Sequence, residues 1–549
     1  MLILHLYLAR ELLKTFIMTS ITLTLLVVMG GGVANIFRGE AVGAEGMAKI
    51  FLFLTPVAVT LILPVAALFS AAITYGRAAA DNEILACRAA GINIHKLLLS
   101  ALLLGLFVTV FTYWSWNYLL PTLSRQIEEI TRRDLPTIVK GQFQKAKPLS
   151  FGRYRMTARQ CATLDRTVLA ADAPAEHTYL QLSGVAFCET DAQEAVRFGT
   201  ADITIVDFDR TEAIPRVTVD LQGVRSFDAS RKQYYELAHQ VLGPFQIPLP
   251  IRRKLKFETL GTLLAYRQKP DLDPEVADLL SNVRREMMAH CLYGDVVRQL
   301  DPDQGGDGTC HLASGNVGYA ISAEQFAVDP EDGKPSLRDV RVIEKGGENG
   351  DHLLTADSAT FELRSGLDRM HCIIMVELVG NVEIRHYPLR SDDRVVKKPK
   401  ESLKPIAFDD QPQLVRQAAS FDANSLWDPG VSFTLRPKQE RARGKLLTWL
   451  AKFRSEIQGE INFRASYSLC SVAIILFGAV LGIIARGGQV LTAFGISCIP
   501  MLFVVVAGIV GRNLSDRPAY ETLSITVMWA AAVFMYLATG FVAMKILKR

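Results

Sequence analysis

No stretch of this 549-residue sequence reads GxxxxGK[ST], so the chain has no loop that cradles a nucleotide's phosphates, and energy for any ATP-driven work must come from elsewhere. GxSxG, HExxH and a strand-to-helix GxGxxG are missing as well, which removes the common hydrolase, metalloprotease and dinucleotide-binding signatures. The nine histidines do not fall at catalytic spacing from carboxylates and read as surface or packing residues. No CxxC or Cys/His spacing suggests a metal site, and no cofactor is expected. Excess charge of one sign is also scarce. With 60 Lys and Arg against 56 Asp and Glu the net charge is +4, too small to argue for a polyanion partner.

Charge is missing in long blocks. Thr15–Phe37, Ile50–Tyr75, Leu97–Ser124, Ala465–Ala485, Gly487–Gly511 and Thr522–Met544 carry no Asp, Glu, Lys or Arg, and a helix needs about 20 such residues to cross hydrocarbon. The first block is too long for a cleaved leader and is followed by a second span, so it reads as retained. With almost no ionisable group inside, the spans lack the relay of a proton- or ion-coupled carrier. Arg10, Lys14, Arg77, Arg88, Lys96, Arg486, Lys545, Lys548 and Arg549 gather on one side, against Arg38, Lys49, Arg512 and Arg517 on the other. The bias puts both termini and the loop between spans two and three in the cytoplasm, and the large polar insert, Arg125 to Arg464, outside.

The expected organisation is therefore spans one to three in 1–124 with a short cytoplasmic helix at 81–91, a first β module in 125–256, a helical connector in 257–300, a second β module in 301–394, a linker and amphipathic helix in 395–464, and spans four to six in 465–549. PTLSRQIEEITRRDLP, after the third span, has helical spacing and reads as an amphipathic helix on the outer membrane surface or a hinge. From Gly141 the pattern turns to period-two alternation, clearest in TYLQLSGVAF (178–187), ADITIVDF (201–208) and VTVDLQGVRSF (217–227). LTADSATFEL (354–363) and MVELVGNVEIRHY (375–387) echo it, which suggests two modules of one β type, each closed as a jelly-roll or left as an open sandwich. Between them FETLGTLLAYRQ (257–268) and DPEVADLLSNVRREMMAHCLYGDVV (273–297) read as helices, the second capped by Asp273 and opened by Pro274. VVKKPKESLKPIAFDDQPQ (395–413) reads as a linker. Five cysteines fall in the insert, where Cys161–Cys188 or Cys310–Cys372 could pair.

The loop RAAADNEILACRAAGINIHK (77–96) is short and tidy. Asp81 or Asn82 can cap a helix, Glu83 suits its positive end, Gly91 suits the left-handed residue that stops it, and Asn93 caps the next span. Such a helix serves equally as a plain loop helix or as a lever that moves two spans when a partner pushes on it.

LPVAALFSAAITYGRAAADNEILACRAAGINIHKLLLSALLLGLFVTVFTYWSWNYLLPTLSR (63–125), its LPVA span followed by a Glu and RAAGI, resembles the LptF/LptG permeases of the lipopolysaccharide export ABC transporter. EINFRASYSLCSVAIILFGAVLGIIARGG with AFG (493–495) resembles the same family's E-x-x-x-R approach to the fourth span and its glycine-rich turn. The resemblance implies an α+β protein of the bacterial inner membrane, with six transmembrane helices, three plus three, flanking a periplasmic β-jelly-roll region. It implies a separate cytoplasmic ABC ATPase that receives the 81–91 coupling helix, where Glu83 pairs with a basic group and Asp81, Ile84, Arg88 and Gly91 belong to the same helix. It further implies a second permease chain, a periplasmic bridge protein, and a lipopolysaccharide-type lipid whose phosphates meet basic residues at the outer end of the first span, here Arg38 and Lys49. The second β module looks similar to the bridge proteins of that pathway. A membrane-anchored scaffold that binds partner proteins is the alternative; a mechanotransmission exporter would have fewer spans.

Overall fold

The computed structural model describes residues 2–37, 44–144, 148–151, 154–164, 177–191, 194–209, 216–228, 233–246, 254–315, 317–346, 350–365, 372–387, 395–484 and 490–547. Helices α1 (Leu2–Phe37), α2 (Ala44–Ala80), α3 (Glu83–Ala89), α4 (Ile94–Leu97), α5 (Leu99–Trp114) and α6 (Leu120–Gln144) come first, with a π-helical turn at Ser115–Leu119 joining the last two. Strands β1 (Leu149–Phe151), β2 (Tyr154–Leu164), β3 (His177–Asp191), β4 (Glu194–Asp209), β5 (Arg216–Asp228) and β6 (Gln233–Gln246) follow. Then come α7 (Leu260–Gln268), α8 (Pro274–Leu300), and strands β7 (Thr309–Ser314), β8 (Val317–Val328), β9 (Pro335–Lys345), β10 (His352–Ser365), β11 (Cys372–His386), β12 (Val396–Ser402) and β13 (Ile406–Ala407). The chain closes with α9 (Pro412–Ala418), α10 (Ala423–Trp427), α11 (Pro437–Ile484), α12 (Val490–Leu514) and α13 (Glu521–Leu547). These fall into two units, one of residues 1–263, 457–515 and 519–549 and the other of 264–456 and 516–518.

Five helices of the described chain are long and apolar enough to cross a membrane: Ile3–Gly30, Thr55–Ala80, Ile94–Gln126, Pro437–Ile484 and Pro518–Lys545, with Cys498–Leu514 of α12 a shorter apolar helix. The first begins earlier than the uncharged block did, because Arg10, Glu11 and Lys14 continue the same helix. The glycine-rich turn at 486–488 lies outside the described residues. Helix α2 is the hub of the first unit, with Ala66, Ala67, Ala71 and Ala72 wholly buried. Lipid tails supply no hydrophobic drive between spans, so close packing of small residues has to hold them. Gly478 and Gly482 of α11 provide it: a Cβ on Gly482 would lie 2.7 Å from the Ala72 carbonyl oxygen, and one on Gly478 2.6 Å from Leu68 Cδ1. Hydroxyls make the cross-links, Ser70 to the Leu12 carbonyl (2.6 Å), Tyr75 to the Leu97 carbonyl (2.7 Å) and Thr60 to Ser115 (2.6 Å).

The first sheet runs β1-β2-β3-β4-β5-β6, every neighbour consecutive and antiparallel. Both sheets are meanders, without the crossed connections of a jelly-roll among the described strands. Helix α6 continues beyond the stretch expected to be amphipathic (121–136) and turns Val139 and Phe143 into the core of the first sheet beside Met156, Leu180 and Val219.

In the second unit β12-β11-β10-β9-β8-β7 form another sheet, with β13 pairing β11 and packing on β7, so the sheet curls. Asp273 accepts from the amides of Glu275 and Val276 and Pro274 opens α8, as the sequence indicated. The helix buries Leu292, Val296 and Leu300 against Leu312, Ile321 and Val342. The expected linker at 395–413 instead supplies β12 and β13. Its Pro and Lys residues mislead because an edge strand tolerates both. The quoted echo forms the same hairpin twice. Ala201-Asp202 faces Gly223 and Ala356-Asp357 faces Gly380, both glycines in the left-handed region (φ +64° and +81°), and in each case a Cβ would lie 2.5 Å from the aspartate Oδ2.

All eight cysteines are free. Cys161 stands opposite Leu182 on β3, whereas Cys188 stands opposite Arg155. Six residues of strand separate them, about 20 Å, where a disulfide needs Cα atoms within about 7 Å. Burial pushes the Cys310 thiol up to about 12 and Cys291 to about 11, leaving both unreactive at neutral pH.

Candidate functional site

Helix α2 stops because Asn82 turns left-handed (φ 60°), a conformation asparagine accepts more readily than most residues. Asn82 thus occupies the cap position of α3, but its side chain makes no capping hydrogen bond, and neither does Asp81, which is exposed. Gly91 ends the helix at φ +76°, and the Asn93 side chain accepts from the His95 amide 3.0 Å away. The elbow is two turns long, stopped by backbone geometry at both ends.

Its inner side is anchored. Ile84 is 8% exposed and joins Ala78, Ala79, Ile94 and Leu97 in the bundle core, with Cys87 half-buried beside them. Leu85, one residue on, is 51% exposed, and Ala86, Ala89 and Ala90 are exposed with it. Glu83 and Arg88 are half-buried flanking charges. The start of α1 holds the same corner: Tyr7 Oη donates to Glu83 Oε1 (3.2 Å) and Arg77 pairs with Glu11 (3.6 Å). The result is a small apolar step, fixed from behind and open in front, joined without slack to spans two and three.

From Ile94 to Asn117 the third span rises about 35 Å at 1.5 Å per residue, roughly the thickness of a bilayer's hydrocarbon. At that far end lies a buried ion network. Arg464 is 1% exposed and Glu460, one turn earlier, 3%; they pair at 3.0 Å. The guanidinium also donates to Asn117 Oδ1 (3.1 Å) and to the carbonyls of Glu258 (2.9 Å), Lys256 (3.2 Å) and Leu255 (3.3 Å). Arg512 of α12 takes the other oxygen of Glu460 at 2.7 Å. Arg125 pairs with Glu258 at 3.4 Å. The π-helical turn puts Asn117 into this network; an extra residue in a helix turn commonly marks a functional position. One carboxylate, Glu460, is thus shared by two arginines, with Lys254 and Lys256 close by, and burial together with Arg512 and Lys254 holds the Lys256 ammonium below its ordinary value.

Of the residues named from sequence, Asp81, Glu83, Ile84, Arg88 and Gly91 come together in the elbow. Lys49 lies on α2, and Arg38 lies outside the described residues. The sequence reading noted Glu460 and Arg464 only as a family-like pattern and missed Asn117, Glu258 and Arg512. A basic residue ending an apolar block, as Arg512 does, was counted only for orientation and is the signal that could have pointed there. Among the described residues no group of three His, Cys, Asp or Glu side chains could hold a metal.

No curated protein matches the chain. Residues 6–163, which hold the first three spans, the elbow, the π-helical turn and the start of the first sheet, match the family described as lipopolysaccharide export system permease LptF/LptG. Through that stretch the chain is similar to the LptF/LptG permeases of lipopolysaccharide export, and its long apolar helices suit a membrane-embedded transporter component.

Proposed function

We propose that this chain is the membrane-spanning half of an ATP-driven exporter that takes lipopolysaccharide, or a related glycolipid, from the inner membrane and hands it to its own β modules, powered by a separate cytoplasmic ATPase. In this reading six spans, α12 supplying the fifth, hold two β modules on the periplasmic side, a bridge protein receives the lipid, and a second permease chain completes the cavity. The observation that carries the reading is the elbow: Ile84 buried, Leu85 exposed, Glu83 at its rim. A partner that grips Leu85 and pairs with Glu83 pushes on a helix that cannot slide, so the force reaches spans two and three together. Arg88 and Asp81 flank that contact, and Gly91 fixes its far edge.

At the opposite end, Arg38 and Lys49 remain the proposed contacts for the lipid's phosphates, and the surplus of Lys254, Lys256, Arg464 and Arg512 over Glu460 gives the same end a positive field. Copurification tests the reading. The intact chain brings down a cytoplasmic ATPase from its native membrane, and Glu83→Lys or Leu85→Glu abolishes that association while the chain still inserts. A variant that keeps its ATPase, in membranes where the chain moves no lipid, favours the scaffold instead.

A further inference from the structure

The first outward edge of the second sheet is β7, which pairs with β8 on one side only. An unpaired strand edge is a template for another strand. Here its outward amides are already occupied, one after another, by side chains from elsewhere in the same unit. Thr309 N–H donates to Asp307 Oδ1 (3.1 Å), His311 N–H to Gln299 Oε1 (2.8 Å), Ala313 N–H to Gln411 Oε1 (3.3 Å), and Gly315 N–H to Asp410 Oδ2 (3.1 Å). Gln411 Nε2 also donates back to the Ala313 carbonyl, so its carboxamide makes the two-bond pairing that a peptide group of a neighbouring strand would make. Ser314 Oγ donates to the Pro405 carbonyl (3.3 Å). The spacing matters: alternate residues are served, which is the period at which a strand presents its outward N–H groups.

The sheet's other edge is closed by different means. Strand β12 reads VKKPKES: Pro399 has no N–H, and Lys397, Lys398 and Lys400 are tied to Glu383 (2.7 Å), Glu401 (2.6 Å) and Glu377 (2.9 Å). Lysine and proline are what natural sheets use to refuse edge pairing.

We infer that the segment 405–414, with Gln299 and Asp307 serving the rest of the strand, is an intramolecular stand-in for a partner strand, holding the edge of β7 shut so that the second β module does not extend by strand addition to a second copy of this chain. The inference is independent of the export reading, since it concerns only which edges of this unit can pair.

Hydrogen exchange resolved to single residues, on the full chain in detergent, tests it. In the intact protein the amides of 311 and 313 exchange as slowly as those in the sheet interior. Gln411→Ala speeds residue 313 about tenfold and Gln299→Ala speeds residue 311, each leaving the other amide as it was. A photoreactive amino acid at position 311 gives no crosslinked dimer in the intact chain and gives one when both substitutions are present. Exchange at loop speed in the intact chain overturns the inference, as do insensitivity to either substitution, dimers crosslinked without the substitutions, or an opened edge that still captures no second copy.

Discussion

Removing the guanidinium of Arg464 tests whether the buried network is held by its fork or merely by charge. The side chain makes five hydrogen bonds, to Glu460, Asn117 and three backbone carbonyls, while being 1% exposed. Arg464→Met leaves Glu460 buried with Arg512 as its single remaining ion pair and leaves Asn117 Oδ1 facing a thioether. Breaking one side of a buried pair costs about 3–5 kcal/mol, because the other charge stays desolvated. Arg464→Lys keeps the charge but has three donors and no planar fork, so at least two of the five acceptors lose their partner, at about 1–3 kcal/mol each. Glu460→Leu combined with Arg464→Met removes the stranded carboxylate and is expected to be less damaging than Arg464→Met alone, since Arg512 is partly exposed and can turn to solvent. Thermal unfolding in detergent, followed by tryptophan fluorescence, reads these differences; Trp116 lies 5.6 Å from Phe463, beside Arg464, and reports on the site. The methionine variant is expected to melt on the order of 10 °C lower. A melting temperature within about 1 °C of the parent, or full rescue by lysine, refutes the reasoning.

Gly482→Leu is expected to force α11 away from α2, because its Cβ alone would sit 2.7 Å from the Ala72 carbonyl and 2.9 Å from the Gly76 amide; loss of folded protein on size-exclusion chromatography checks this, with Gly540→Leu, which has open space around it, as the tolerated comparison. Strand β12 is expected to loosen in acid. Hydrogen bonds donated by its Lys400 and Lys397 hold Glu377 and Glu383 of β11 below the ordinary value of about 4.5, so their contribution is complete above that value and is lost as pH falls through the depressed one. Amide protection across 396–402, taken as the exchange rate relative to the intrinsic rate at each pH, should fall only at the acid end between pH 6 and 3.

How far the residues alone reached varied with the kind of signal. The five long apolar helices were legible because missing charge is a property of the whole block, and the strands because Val217, Val219 and Leu221 alternate as a half-buried strand must. The alternation then slips to Val224, and from Ala356 to Ala359 on β10, because the glycine opposite an aspartate breaks the phase in both hairpins. Asn82 was mistaken for a side-chain cap because its backbone, not its amide, does the stopping. Strand β12 was mistaken for a linker because edge strands share the linker's composition. Gln411 and Asn117 carried no signal, since a lone amide becomes informative only when its partner, 98 residues away for Gln411 and 347 for Asn117, is in place.

The π-helical turn at Ser115–Leu119 also sets the phase of everything beyond it. One surplus residue rotates the lower half of the rod by about 100° relative to the upper half. Before it, Ala101, Leu104 and Val108 look toward one set of neighbours; from within it onward, Trp116 and Leu120 look toward Phe463, Tyr467 and Met528. A relative lacking that single residue would keep the same hydropathy profile yet address the wrong companions below the turn, so lengths compared across the third span carry more structural information than its apolar content does.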